Sequence, residues 1–268
     1  MRRRLDVDLV RRGLCASREQ AQEAISTGRV LVRGAVASKP SHQVDDAEPV
    51  ELVGDGPRFV GRGGEKLDGA LEHFGIDVTG VVALDAGAST GGFTDCLLQR
   101  SAAAVVAIDV GHGQLHERLR ADPRVENHER VNVRTLTPAD LGGRRFALIV
   151  ADLSFISLRA VASSLVGLAA ADGQLVVLVK PQFEARRAEV SRGRGVIKDP
   201  EVWQRSLLGV RDAFSDCGAA MIGAMASPLR GTDGNVEFLA RIACPASPHL
   251  VHARVDDVLI SALIRGVA

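Results

Sequence analysis

From residue 59 onward the chain alternates short apolar runs with helical stretches, and that alternation limits the fold more than any other feature of its 268 residues. Apolar runs at 81–85, 104–109, 125–130, 146–151, 174–179, 221–226 and 235–242 read as strands. Helices between them predict an α/β fold, a mostly parallel seven-stranded sheet covered on both faces. Asp199-Pro200 is placed to cap and open a long helix before the sixth strand. The turn-rich "PLRGTDGN" predicts that the last two strands form an antiparallel hairpin at a sheet edge. "AVASSLVGLAAA", 160–171, falls short of the roughly 18 apolar residues of a membrane span and reads as a core helix.

The first 36 residues follow another pattern: helix, turn, helix, hairpin. Leu5, Leu9 and Val10 share one face of a short helix that Gly13 can close. "SREQ" from Ser17 has the capping-box form, and Ala21, Ala24 and Ile25 carry the apolar face of a second helix up to Gly28. "RVLVRGAV" alternates about Arg33-Gly34, as two short strands around a tight turn would. "GDGPR", 54–58, is a hinge by composition, so the expected division is 1–57 and 58–268. Net charge is zero but uneven: residues 1–43 carry nine Arg or Lys against four Asp or Glu. Such a module fits contact with a polyanion, although a solvated charged face has the same composition.

This first stretch resembles the S4 RNA-binding domain in its arginine-led first helix, the Ser-Arg start of the second, and a Gly-x-Val strand followed by Lys39-Pro40. Arg33 departs from the family, which usually has Asn there. The resemblance makes Arg4, Arg11, Arg12, Arg18 and Arg29, with Arg2 and Arg3, candidate RNA-backbone contacts. They would supply affinity and placement rather than base readout.

"VVALDAGASTGGFTD" is a strand, a small-residue loop and a helix start. Gly87, Gly91 and Gly92 let the backbone approach a ligand closely, and Asp85 sits at the strand end. About 20 residues on, "VVAIDVG" ends a second strand with Asp109, placed either to hold two ribose hydroxyls or to cap a helix in "GHGQL". A dinucleotide site needs Gly-x-Gly-x-x-Gly under a pyrophosphate, whereas an acidic Gly-Ala-Ser-Thr-Gly-Gly loop repels phosphate and attracts a cation. The loop resembles the first motif of class I methyltransferases, whose cofactor S-adenosylmethionine carries a sulfonium. The resemblance implies Asp85, Gly87, Ala88 and Gly91 beside the methionine moiety, with Ser89 and Gly92 in the same loop. Asp109 would then take the ribose and Asp152 close the site.

The chain holds 29 arginines but only four lysines, Lys39, Lys66, Lys180 and Lys198. Val176–Val179 read as a strand buried on both faces; Lys180 ends it and Pro181 stops the ladder. Lysine can lose its proton where arginine cannot, although a solvated lysine at a loop start would look the same. "FALIVADLSFIS" delivers Asp152 to a neighbouring strand end, the edge where ligands of open α/β sheets collect. "GRGGEKL" places Lys66 at a helix start, and "GNVEFLARI" places Glu237 inside the last strand.

In chain order, Lys66, Asp152, Lys180 and Glu237 resemble the Lys-Asp-Lys-Glu tetrad of FtsJ-type RNA ribose 2′-O-methyltransferases. The resemblance implies that Lys180 is the general base, with Lys66 as a nearby cation and the two acids holding amines and hydroxyl in line. Lysine titrates at about 10.4 when free, and desolvation with a second cation can bring it to about 7–8.

Across nearly its whole length the chain resembles the TlyA family, an S4 domain followed by an FtsJ-like methyltransferase and sometimes labelled haemolysin. "GRGGEKL", "LDAGASTGGFTDCLL", "DVGHGQL", "ADLSFISL", "LVKPQFE" and "SPLRGTDGNVEFL" carry the match. It implies 2′-O-methylation of cytidine in ribosomal RNA, with ribosomal subunits as partners; a monomer with no metal is expected beside it. Cys15, Cys96, Cys217 and Cys244 lack ligand spacing, and "MRRRLDVDLVRRG" is no signal peptide, which fits a reduced, cytoplasmic setting. A non-catalytic RNA-binding protein and a membrane-active haemolysin are the competing readings. Departures are Gly61, often Ser in the family, and the arginine-rich "FEARRAEVSRGRG". Arg186, Arg187, Arg192 and Arg194 of that segment either face RNA or solvate a loop.

Overall fold

The computed structural model describes residues 2–15, 17–54, 56–244 and 254–267. Two compact units emerge, Met1–Pro57 and Arg58–Ala268. Asp55, within the expected hinge, lies outside the described residues.

In the first unit, β1 (Arg3–Arg4) leads into α1 (Leu5–Arg11), and α2 (Arg18–Ser26) starts at Ser17, whose Oγ accepts from Gln20 N at 3.2 Å. β2 (Val30–Val32) and β3 (Ala35–Val36) join through Arg33 and Gly34, whose φ angles of 53° and 77° make the primed turn that suits a two-residue hairpin. β4 (Gln43–Val44) pairs antiparallel with β1, and β5 (Val50–Leu52) with β2. Leu5, Leu9, Ala21 and Ile25 from the helices bury against Val30, Val32 and Val44.

The second unit runs α3 (Gly63–His73), β6 (Val82–Ala86), α4 (Gly92–Gln99), β7 (Ala104–Asp109), α5 (Glu117–Arg120), β8 (Val125–Glu129) and β9 (Phe146–Ala151). It continues with α6 (Ala162–Leu168), β10 (Ala169–Val179), α7 (Pro181–Glu184), α8 (Arg187–Arg192), α9 (Pro200–Asp216), β11 (Ala220–Ala226), β12 (Phe238–Cys244) and α10 (Asp257–Arg265). The sheet order is β11-β12-β10-β9-β6-β7-β8, with β12 antiparallel to both neighbours and the other pairs parallel.

Period-two alternation sorts the strand residues onto two apolar layers. Leu84, Val106, Ile149 and Val177 pack on the layer that includes Leu165, Leu207 and Ile260 of α6, α9 and α10. Ala83, Val105, Val150 and Val176 face Leu67 of α3 and Leu97 of α4 on the other side.

The last two strands form the antiparallel hairpin expected at the sheet edge, with β11 outermost and β12 beside β10. Two other sequence expectations change. The helix expected over 160–171 stops at Leu168, since Ala169 pairs with Phe146 and begins β10 with a register shift before Gln174. The last strand starts at Phe238 rather than 235, which moves Glu237 into the loop entering it.

Candidate active site and cofactor cleft

β6 has β7 on one side and β9 on the other, so the chain crosses the sheet in opposite directions from this point and leaves a crevice at the strand ends. A cavity of about 440 Å³ occupies it, lined by Gly87, Ser89, Asp109, Asn132, Asp152 and Phe155 with Ile108, Val133 and Leu153 as apolar walls. A smaller hollow of about 100 Å³, lined by Ala88, Gly92 and Asp152 among others, adjoins Gly63 of α3. Gly87 has φ 87°, and a Cβ there would lie 2.5 Å from Asp152 O, so only glycine allows the loop to pass so close to β9. Asp109 accepts from Ser89 N (2.8 Å, Oδ2) and Gly111 N (2.6 Å, Oδ1). The next helix starts at Glu117 with His116 as its cap, so Asp109 closes a turn, not a helix, and its remaining lone pairs are free for hydroxyl donors.

Two expected lining residues sit elsewhere. Asp85 is fully buried beneath the loop, and neither it nor Gly91 borders the cavity or the hollow. Thr94 Oγ1 donates to Asp85 Oδ2 at 2.6 Å, while Oδ1 has no hydrogen-bond partner among the described residues. Burial, resisted by the Thr94 hydrogen bond and reinforced by Asp152, pushes this carboxyl up to about 7. Asp109 and Asp152 thus line a cleft with no Lys or Arg in its lining, and Asp85 lies beneath its loop. That donor set fits a cationic nucleoside such as S-adenosylmethionine and would repel a pyrophosphate.

The tetrad positions assemble at the same edge as two ion pairs. Val179 pairs with Phe238 in the last register of β10 and β12, so Lys180 and Glu237 lie just beyond adjacent strand ends. Ala151 pairs with Val177, which brings Asp152 out on the other side of β10. Lys66 Nζ meets Glu237 Oε2 at 2.5 Å, both side chains being buried. Lys180 Nζ lies 2.6 Å from Asp152 Oδ1 in an ion contact that lacks hydrogen-bond geometry. It donates instead to Ser154 Oγ at 3.0 Å and sits 5.7 Å from the Phe183 ring centroid. A Cβ on Gly63 would be 3.8 Å from Asp152 Oδ2, so the first turn of α3 abuts the second pair. The cation expected beside Lys180 is therefore held by Glu237.

Sequence reasoning missed several groups here. Ser154 and Gln182, whose Nε2 donates to Glu237 Oε1 at 3.4 Å, support the pairs. Phe155 is 91% exposed at φ 64° on the cleft rim, its ring 5.4 Å from that of Phe183. A large apolar residue just past a strand-end aspartate was the available signal.

In the first unit, buried Asp6 and Asp8 organise the candidate arginines, and neither acid was singled out from "RLDVD". Arg4 forks onto both Asp6 oxygens at 3.0 Å, and Arg18 and Gln22 bind Oδ2. The Arg4 hydrogen bonds hold the Asp6 carboxyl well below the usual range. Arg11 binds Asp8 and Asp46, while Arg12 binds Asp8, Glu48 O and Asp45 O. Arg4, Arg11 and Arg18 remain 44%, 43% and 54% exposed, whereas Arg12, at 20%, is committed to the unit's own fold. Arg29 caps Val53 O and Gly54 O, each at 3.3 Å.

Sheet order and cleft together define a class I methyltransferase domain, preceded in the chain by an S4 module. Residues 59–243 match the FtsJ-like methyltransferase family and residues 3–50 the S4 domain. The 16S/23S rRNA (cytidine-2′-O)-methyltransferase TlyA of Mycobacterium tuberculosis is 48% identical over 99% of this chain and 98% of its own. Hemolysin A of Brachyspira hyodysenteriae is 39% identical over 88% of this chain and 98% of its own. A solved structure of a hemolysin-named protein from Streptococcus thermophilus superposes with a TM-score of 0.76 at 37% identity, covering 99% of this chain and 95% of that one. The chain belongs to the TlyA family. No helix among the described residues is long and apolar enough to cross a membrane.

Proposed function

We propose that this protein transfers a methyl group from S-adenosylmethionine to a ribose 2′-hydroxyl, that of a cytidine in ribosomal RNA, working as a cytoplasmic monomer on ribosomal subunits. The observation that carries the reading is Lys180, held at the end of β10 within 2.6 Å of Asp152, on the rim of an acidic cleft without bases. The M. tuberculosis relative's 16S/23S rRNA (cytidine-2′-O) activity supports the choice of substrate.

S-adenosylmethionine supplies an electrophilic methyl group on a positive sulfonium. Gly87, Ala88, Ser89 and Gly92 would give its methionine end close backbone approach, with Asp152 opposing its charge. Asp109 would accept the ribose hydroxyls. A 2′-hydroxyl is a weak nucleophile, so its proton must leave as the new bond forms. Lys180 Nζ, having first passed a proton to solvent, accepts that proton. Asp152 and Ser154 keep Nζ aimed into the rim, and the Lys66–Glu237 pair fixes the strand end beside it. Asp152 then steadies the ammonium that forms.

The test is incubation with isotope-labelled S-adenosylmethionine and unmodified ribosomal subunits, followed by mapping of 2′-O-methyl sites. Label on a cytidine ribose is expected. Binding of subunits without transfer would leave an RNA-binding protein in place of an enzyme.

A further inference from the structure

Most cations around the sheet are paired, and one group is not. At the edge where strands begin, Arg100, Arg124 and Arg144 are paired with Asp68, Asp122 and Glu126. At the catalytic edge, in the segment that follows β10 and α7, Arg192, Arg194 and Lys198 are exposed and have no side-chain partner among the described residues. These three line a concave hollow of about 450 Å³. Its two carboxylates are already occupied: Glu189 pairs with Arg205 at 2.5 Å and accepts from Arg186 N, and Asp199 caps α9 through Glu201 N.

The hollow is also fastened to the active site. Asn235, 1% exposed and two residues before Glu237, accepts from Ile197 N at 2.8 Å and donates to Gly195 O at 2.9 Å. Trp203 Nε1 donates to Ile197 O at 3.0 Å. The cations therefore stand on backbone that a buried amide and a buried indole hold beside the tetrad. Arg194 moreover occupies φ 51°, a conformation that glycine adopts without strain and arginine does not.

We propose that this hollow is a phosphate subsite that grips the RNA backbone next to the target nucleotide; this rests on the RNA methyltransferase reading above. Guanidinium groups fork onto phosphate oxygens, and each neutralised phosphate releases counterions, so the subsite has a salt signature.

The test uses the full-length protein and a ribosomal RNA fragment titrated at several salt concentrations. Replacing Arg192, Arg194 and Lys198 together by Ala should flatten the log–log salt slope by about 0.7–0.9 for each phosphate no longer neutralised. KM for RNA should rise about ten-fold while kcat stays within about two-fold, the mark of uniform binding removed. Cofactor affinity should not move. Arg194→Gly alone should melt no lower than the wild type, since it relieves φ, yet bind RNA more weakly. A wild-type slope in the folded triple variant, or wild-type RNA affinity in Arg194→Gly, overturns the subsite. Weakened binding to assembled subunits with an unchanged slope on naked RNA would assign the hollow to a protein and overturn it too. If the wild type binds no RNA at all, the functional reading fails and the subsite with it; unchanged slopes with RNA bound sink the subsite alone.

Discussion

Lys180 and Asp85 show how far a side chain's chemistry depends on what surrounds it. Lys180 stands 2.6 Å from Asp152 with its amine on the cleft rim, a place where arginine could keep the charge but never accept a proton. Lys180→Arg should lower methyl transfer by at least about 10²-fold, the scale of general-base catalysis, while calorimetric affinity for S-adenosylmethionine changes by no more than a few-fold. Turnover near the wild type would remove the base assignment. Asp85 titrates near 7 when folded against 3.8 ordinarily, so the folded state holds its proton more tightly than the unfolded chain. Its contribution to the stability of the ligand-free protein is therefore full below pH 3.8, declines as pH rises towards about 7, and then levels off. Asp85→Asn, which keeps an acceptor for Thr94, should escape that decline. Thermal melts should show it about 1–3 kcal/mol more stable than the wild type at pH 8, at about 1.4 kcal/mol per pKa unit, with the gap narrowing at pH 5. A gap that does not change with pH would show that burial does not control this carboxyl.

At the scale of elements, the site depends on how closely α3, α4 and the glycine loop approach one another. A Cβ on Gly64 would overlap the ring of buried Phe59, and one on Gly92 would come within 2.9 Å of Gly64 N. Gly64→Ala should push α3 outward, costing about 1–3 kcal/mol in urea unfolding. Because Lys66 rides on that helix, turnover should fall further than cofactor affinity. Phe59→Leu in the same chain should return part of the stability, and strict additivity of the two changes would exclude the contact. The β10–β12 register matters in the same way. It is antiparallel pairing that sets Lys180 beside Glu237, so the two residues reach one edge from strands running in opposite directions.

For the whole molecule, the proposed function puts the cofactor chemistry in the second unit and expects the first to add RNA affinity. Alanine at Arg4, Arg11 and Arg18 would strip most of the cations from buried Asp6 and Asp8 and so confuse RNA binding with unfolding. Deleting residues 1–57 avoids this. The remaining chain should bind S-adenosylmethionine within a few-fold of the full protein and bind RNA with a flatter salt slope. Cofactor binding abolished in a folded fragment would contradict the division. The fold class, the position of each strand of the second unit to within about five residues, the glycine loop and the chain order of Lys66, Asp152, Lys180 and Glu237 were all legible in the sequence, whereas β1, β4 and β5 of the first unit were not. Period-two burial, turn glycines and caps are local, and they leave their mark on neighbouring residues. Other features were not legible: the insertion of β12 between β10 and β11, the burial of Asp85 under its own loop, the use of Asp6 and Asp8 to hold arginines, and the pairing of Lys66 with Glu237. Lys66 and Glu237 are 171 residues apart, and which lysine meets which acid is decided by strand order and register. Strand order and register belong to the assembled sheet, because they minimise exposed apolar surface over the whole unit, and no local stretch of sequence carries that information.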